Sequence, residues 1–236
     1  MADIEKAPIK GSLTNHSIVD LAWDISSVKV KDRNRKTQTL NLLENVQGGV
    51  HAGQLMAIMG PSGSGKSTML NVLANRPAQA KTRVDATITV NGQQVSESLF
   101  RHVSAYVEQD DTLIGSLTVR ETLTFAGRLS FEGRVSSTEL ADRVNTLISR
   151  LGLTGQTNQL VGTPIRKGIS GGQKRRLSIA SQLITGPHIL FLDEPTSGLD
   201  SSASFEVMNL LKAMAKDLNV STQSCSRIRT MLTMTP

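Results

Sequence analysis

Gly60-Pro61-Ser62-Gly63-Ser64-Gly65-Lys66-Ser67-Thr68 decides the fold. The apolar run 55–59 before it reads as a buried strand. Met69, Leu70, Val72 and Leu73 after it read as one side of a buried helix. Strand, glycine loop and helix are the setting in which G-x-x-x-x-G-K-[ST] becomes a phosphate site. Gly63 and Gly65 let the backbone curl so that successive N–H groups point at an anion, and the following helix adds its positive end. In that geometry Lys66 reaches the β- and γ-phosphates, and the Ser67 hydroxyl ligates Mg²⁺. The expected ligand is a nucleoside triphosphate.

The rest of the composition sets bounds. A chain of 236 residues can bury a full core unaided. With 3% aromatic residues, that core must be aliphatic. The apolar runs near Leu55 and Ile189 are far shorter than the roughly 20 residues that cross a bilayer. Asp3 and Glu5, with no apolar run behind them, argue against a secretory signal. Cys225 is the only cysteine, which excludes an internal disulfide. The net charge of +6 is scattered apart from Lys174-Arg175-Arg176. Without aromatic platforms beside it, that run reads as a solvated helix face and not as a nucleic-acid surface.

Working outward, residues 1–16 have no periodicity and read as a flexible leader. A strand is expected within 17–30, around Trp23, and a charged turn over 31–36. An apolar stretch over 40–47 is broken by Gly48-Gly49. Residues 86–90 before Asn91-Gly92 read as a strand entering a hairpin. A strand over 103–107 ends at Glu108-Gln109-Asp110-Asp111. Thr118-x-x-Glu121 and Ser136-x-x-Glu139 are capping boxes opening helices. The first carries Leu123, Phe125 and Leu129. The second carries Leu140, Val144, Leu147, Ile148 and Leu151 and stops at Gly152. Ser170-Gly171-Gly172-Gln173 opens a third helix, with Leu177, Ala180, Leu183 and Ile184 on its inner face. A last helix carries Phe205, Met208, Leu211 and Met214. This alternation predicts an α/β fold: a mostly parallel sheet, an antiparallel N-terminal β part, and a helical insert at about 111–185.

Residues 189–192 form a short apolar strand ending in Asp193-Glu194. A strand beside the phosphate loop would deliver Asp193 to Mg²⁺ and leave Glu194 at its tip to polarise the attacking water.

These residues resemble a family. Ile169-Ser170-Gly171-Gly172-Gln173 is similar to the signature of ATP-binding-cassette (ABC) proteins. Pro195-Thr196-Ser197-Gly198-Leu199-Asp200 resembles the segment after their Asp-Glu pair, and Gln109 stands where their Q-loop glutamine does. The texture looks most like the G subfamily of transporters, over about 21–220. The resemblance implies a RecA-like P-loop NTPase core on the cytoplasmic side of a membrane. Its cofactors would be ATP and Mg²⁺, and its partners a second cassette packed head to tail and a membrane domain that this stretch does not contain. Gly60 to Thr68 and Ser170 to Gln173 would hold nucleotide. Ser67, Gln109 and Asp193 would hold the metal, and Glu194 with Gln109 would be catalytic. Function by resemblance is Mg-ATP hydrolysis that drives transport.

Two departures stand out. Val28 and Val30, with Trp23 placed too early, stand where an aromatic residue often stacks on adenine, a loss on the order of 1 kcal/mol. After Val220 the family pattern stops: an apolar strand and a switch histidine are expected, and 221–236 is Ser/Thr-rich with no histidine. The expectation is a cassette truncated after Val220, lacking its last core strand, with 221–236 a disordered tail and turnover reduced. The alternative is a non-hydrolysing ATP-binding module that regulates full cassettes or is non-functional.

Overall fold

The structure, a computed structural model, describes residues 18–31, 39–76, 82–163, 165–218 and 221–227, the last as backbone alone. The leader at 1–16 and most of the charged turn lie outside the described residues. In chain order the elements begin with β1 (Asp20–Lys31), β2 (Thr39–His51), β3 (Leu55–Gly60), α1 (Lys66–Leu73), β4 (Thr82–Val90) and β5 (Gln93–Gln94). Next come α2 (Glu97–Val103), β6 (Ser104–Val107), α3 (Val119–Phe131), α4 (Ser137–Arg150) and α5 (Gly171–Leu183). The last are β7 (Ile189–Asp193), α6 (Ser201–Leu218) and β8 (Ser221–Arg227).

The strands form two sheets. An antiparallel sheet has the order β2-β1-β4-β5, and a parallel sheet the order β3-β8-β7-β6. Asn91 and Gly92 both take positive φ, 53° and 71°, which suits the type I′ hairpin their sequence encodes. Gly48-Gly49 does not interrupt β2. Gly48 pairs with Trp23 on β1, and a Cβ there would meet the indole Cζ2 at 2.6 Å, so the glycine makes room for a buried ring. Trp23 and Val28 both sit in that core, which removes them as adenine surface.

β7 is the strand on which both cores rest. Alternating side chains point to opposite sides of a sheet. Ile189 and Phe191 accordingly pack with the antiparallel sheet and α1, while Leu190 and Leu192 pack with the helices. The five expected apolar residues of α4 all enter the helical core, and Gly152 ends that helix with φ 63°. α3 departs from expectation. Val119 and Leu123 are buried, but Phe125 and Leu129 are 53% and 69% exposed, because the inward stripe runs through Thr122, Gly127 and Phe131. Phe205 on α6 is likewise exposed.

Two expectations about the central sheet are corrected. β3 is half-buried, with Met59 52% exposed, because among the described residues only β8 pairs with it. The segment 221–227 is not a loose tail. Its backbone runs as β8 between β3 and β7, parallel to both, with Gly60 opposite Arg227 and Asp193 opposite Cys225. The slot is set by α6 and by two strands carrying ladder groups. A polar sequence can fill it because main-chain N–H and C=O groups make the ladder whatever the side chain. The central strand foreseen as missing is therefore present as backbone. Residues 228–236 of the expected tail lie outside the described residues.

Candidate functional site

Because β3, β6 and β7 lie in one parallel sheet, their carboxyl ends share one edge, where open α/β sheets bind ligands. The phosphate loop leaves β3, Glu108-Gln109 leave β6, and Asp193-Glu194 end β7.

The loop has the conformation its glycines permit. Gly63 and Gly65 have φ 82° and 87°. A side chain on Gly60 would strike the Ser64 hydroxyl at 2.6 Å. Pro61 to Ser64 are exposed. α1 begins without a side-chain cap, so no side chain takes up its first N–H groups there. Lys66 is buried and folds back, its Nζ donating to the Pro61 carbonyl at 2.7 Å.

The carboxylates meet the loop. The Ser67 hydroxyl donates to Asp193 Oδ1 at 3.0 Å, and the Tyr106 hydroxyl to Oδ2 at 3.1 Å. Burial, and then the neighbouring Asp193 carboxylate, push the Tyr106 phenol far above its ordinary pKa, so it stays a proton donor. Arg76 lies over the Tyr106 ring at 4.2 Å and pairs with Glu108 at 2.6 Å, a hydrogen bond that raises the Arg76 pKa. Gln109 Nε2 donates to Glu194 Oε2 at 3.3 Å. Glu194 is buried and holds φ 43°, an unusual backbone for a residue with a side chain and one found at functional sites.

A hydroxyl beside a carboxylate is a hard-oxygen donor set. It suits Mg²⁺, which takes one or two carboxylates and completes its shell with substrate phosphates and water. Among the described residues no group of three or more His, Cys, Asp or Glu could hold a metal alone, so Ser67 and Asp193 are the fitting pair. Gln109 is held on Glu194 in this arrangement.

Ser170 to Gln173 are not brought onto this loop. Ser170 Oγ accepts from the Gln173 N–H and Gln173 Oε1 from the Ser170 N–H, a complete capping box. Gly171 and Gly172 face Leu199 and Ala203, where a Cβ would sit at 3.5 and 3.1 Å. The basic run behind them is not a solvated face. Lys174 donates to the Gly162 carbonyl, and Arg176 to that of Leu151 at the end of α4. Arg175, buried, reaches the strand ends that carry Gln109 and Glu194. Sequence reasoning missed Arg175 and Tyr106. The signal for Tyr106 was its place on a strand next to Asp193's strand; nothing local marked Arg175.

The family described as ABC transporter matches residues 43–197. The chain belongs to the ABC transporter family. "ABC transporter G family member 5" of Oryza sativa subsp. japonica is 44% identical over 179 residues, 76% of this chain and 22% of the relative. "ABC transporter G family member STR" of Petunia hybrida is 39% identical over 215 residues, 90% of this chain and 26% of the relative. A dimeric ATP-binding cassette solved in a post-hydrolysis state with ADP and Pi is 25% identical with a TM-score of 0.65, over 86% of this chain and 87% of that one. This ABC chain therefore carries an ATP-binding domain whose homologues are G-family transporters, and it spans about a quarter of the length of those relatives. Among its described residues no helix is long and apolar enough to cross a membrane.

Proposed function

We propose that the chain binds Mg-ATP between the phosphate loop and Asp193-Glu194 and hydrolyses it. Paired with a second cassette and a membrane domain, on the cytoplasmic side, that hydrolysis would drive transport. The observation that carries this reading is the junction of loop and strand: Ser67 on Asp193 and Gln109 on Glu194 at one sheet edge. Gly60 to Thr68 wrap the phosphates, with Lys66 leaving the Pro61 carbonyl to meet them. Bound at Ser67 and Asp193, Mg²⁺ would offset charge on the phosphate oxygens. Glu194, oriented by Gln109, accepts a proton from the attacking water. Ser170 to Gln173, set apart from their own loop, would complete the site of a partner cassette; that a similar cassette was solved as a dimer supports the pairing of two cassettes. We place the cassette at 17–220, extended through β8, with its helical part at about 111–185.

Lys66→Ala should abolish Mg-ATP binding in calorimetric titration; unchanged affinity would sink the assignment. Glu194→Gln should retain binding while hydrolysis falls by about 10²–10⁴-fold. Equal turnover in both proteins would remove Glu194 from the mechanism.

A second reading, a non-hydrolysing regulatory module, is favoured by the histidines. His51 lies at the end of β2, His102 on α2, and His188 before β7 at the opposite edge of the sheet, while β8 contains none. It predicts Mg-ATP binding without turnover in the wild-type chain.

A further inference from the structure

Arg175 is the most densely bonded side chain at the site, and nothing in the phosphate chemistry above uses it. It is 3% exposed and lies on α5 within two turns of Ser170. Its Nη1 donates to the Glu108 carbonyl at 2.7 Å, the Gln109 carbonyl at 3.2 Å and Asp111 Oδ1 at 3.0 Å. Nη2 donates to the carbonyls of Asp193 at 2.9 Å and Glu194 at 3.1 Å, and Nε to that of Pro195 at 3.1 Å. One planar fork thus grips both strand ends that carry Gln109 and Glu194. A lysine, with one tetrahedral head, cannot span them.

We propose that Arg175 is a positioning residue: it fixes Glu194 and Gln109 against each other and ties both to the N-terminus of α5. The reasons are physical. Glu194 keeps a left-handed backbone that needs neighbours to hold it, and its carbonyl accepts both from Arg175 Nη2 and from the Ser197 N–H at 3.0 Å. Buried charge demands dense hydrogen bonding, and Arg175 obtains it from these carbonyls and Asp111. Any tilt of α5 therefore displaces the Gln109–Glu194 pair, so contact at Ser170-Gly171-Gly172 is transmitted to the water-polarising carboxylate of the same chain. This inference rests on the Mg-ATP reading for its catalytic consequence but not for its geometry.

The test uses the whole 236-residue chain. Without nucleotide, Arg175→Lys should speed amide exchange at 108–111 and 193–197, whereas Arg176→Lys should speed it near 151–153 only. Asp111→Asn, a milder change, should shift the same amides as Arg175→Lys by less, which guards against a variant that fails to fold. With Mg-ATP, Arg175→Lys should leave affinity unchanged and lower kcat by about 10–100-fold, the usual effect of losing an outer-shell partner. In a Glu194→Gln background it should cause no further loss, since its effect passes through Glu194. Unchanged exchange at 193–197 overturns the proposal, and so does an equal kcat loss in both backgrounds. A wild-type chain that binds no Mg-ATP sinks the nucleotide reading, while exchange alone then judges the clamp.

Discussion

Two helix N-termini in this molecule are built in opposite ways. α1 starts at Lys66 behind a left-handed Gly65 with no side-chain cap, under an exposed loop. α5 starts at Gly171 with the Ser170–Gln173 box closed in both directions. Unpaired N–H groups at a helix start must find water, a side chain or a ligand. α1 has no side-chain cap to take them, and on the proposed reading a phosphate does. α5 closes its cap between Ser170 and Gln173 and then anchors itself through Lys174, Arg175 and Arg176. The first terminus is left open; the second is closed by its own side chains.

The strongest way to break this contrast is at Gly65. With φ 87° and a Cβ position only 3.0 Å from Leu43 and 3.1 Å from the Leu42 carbonyl, Gly65→Ala should cost about 1–3 kcal/mol of strain and weaken Mg-ATP binding sharply. Chemical denaturation and nucleotide titration would both report it, and wild-type values in both would refute the loop geometry. Ser170→Ala comes next. Losing that cap should cost about 1 kcal/mol, or roughly 2–4 °C in melting temperature for a domain of this size. Affinity of the lone chain for Mg-ATP should not move, and a tenfold loss would mean that the two termini are not separate. The smallest effect concerns the other closed box, at α3. There the Thr118 backbone N–H, then its hydroxyl, hold the Glu121 carboxylate below the usual range. Stability from that pair is complete above the ordinary carboxylate pKa of about 4.3, and fades as pH falls through the lowered value. Glu121→Gln should flatten the loss of stability as pH falls below about 4.3; an acid melting profile identical to wild type would dissociate Glu121 from the cap.

What could be read from sequence was whatever is encoded locally. The phosphate loop, the boxes at Thr118 and Ser170, and the Asn91-Gly92 hairpin each depend on residues a few positions apart. α2 could have been found the same way, since the Ser96 hydroxyl caps it and Glu97 pairs with Arg101 one turn on. What stayed hidden was non-local. Gly48 is explained only by Trp23 on the neighbouring strand, and Phe125 and Leu129 by where α3 meets its neighbours. The three basic residues of α5 turn inward because carbonyls from distant segments converge on them. The polar composition of β8 suggests a tail, whereas its place is set by the ladders of β3 and β7.

The strand order has a consequence for how the chain is made. β3 is translated by residue 60, yet its parallel neighbour β8 begins at Ser221, and β7 comes only at Ile189. A ribosome adding about 5–20 residues per second leaves β3 and the phosphate loop outside the exit tunnel for many seconds before a neighbour exists. During that interval Met56, Ile58 and Met59 are open to whatever binds apolar strands, and long-range parallel pairing is slow to close. The antiparallel sheet, complete by Gln94, can fold first and offer α1 a surface to settle on. Synthesis therefore builds the phosphate loop early and the Asp193-Glu194 strand end late, and β3 lacks its ladder until β8 arrives.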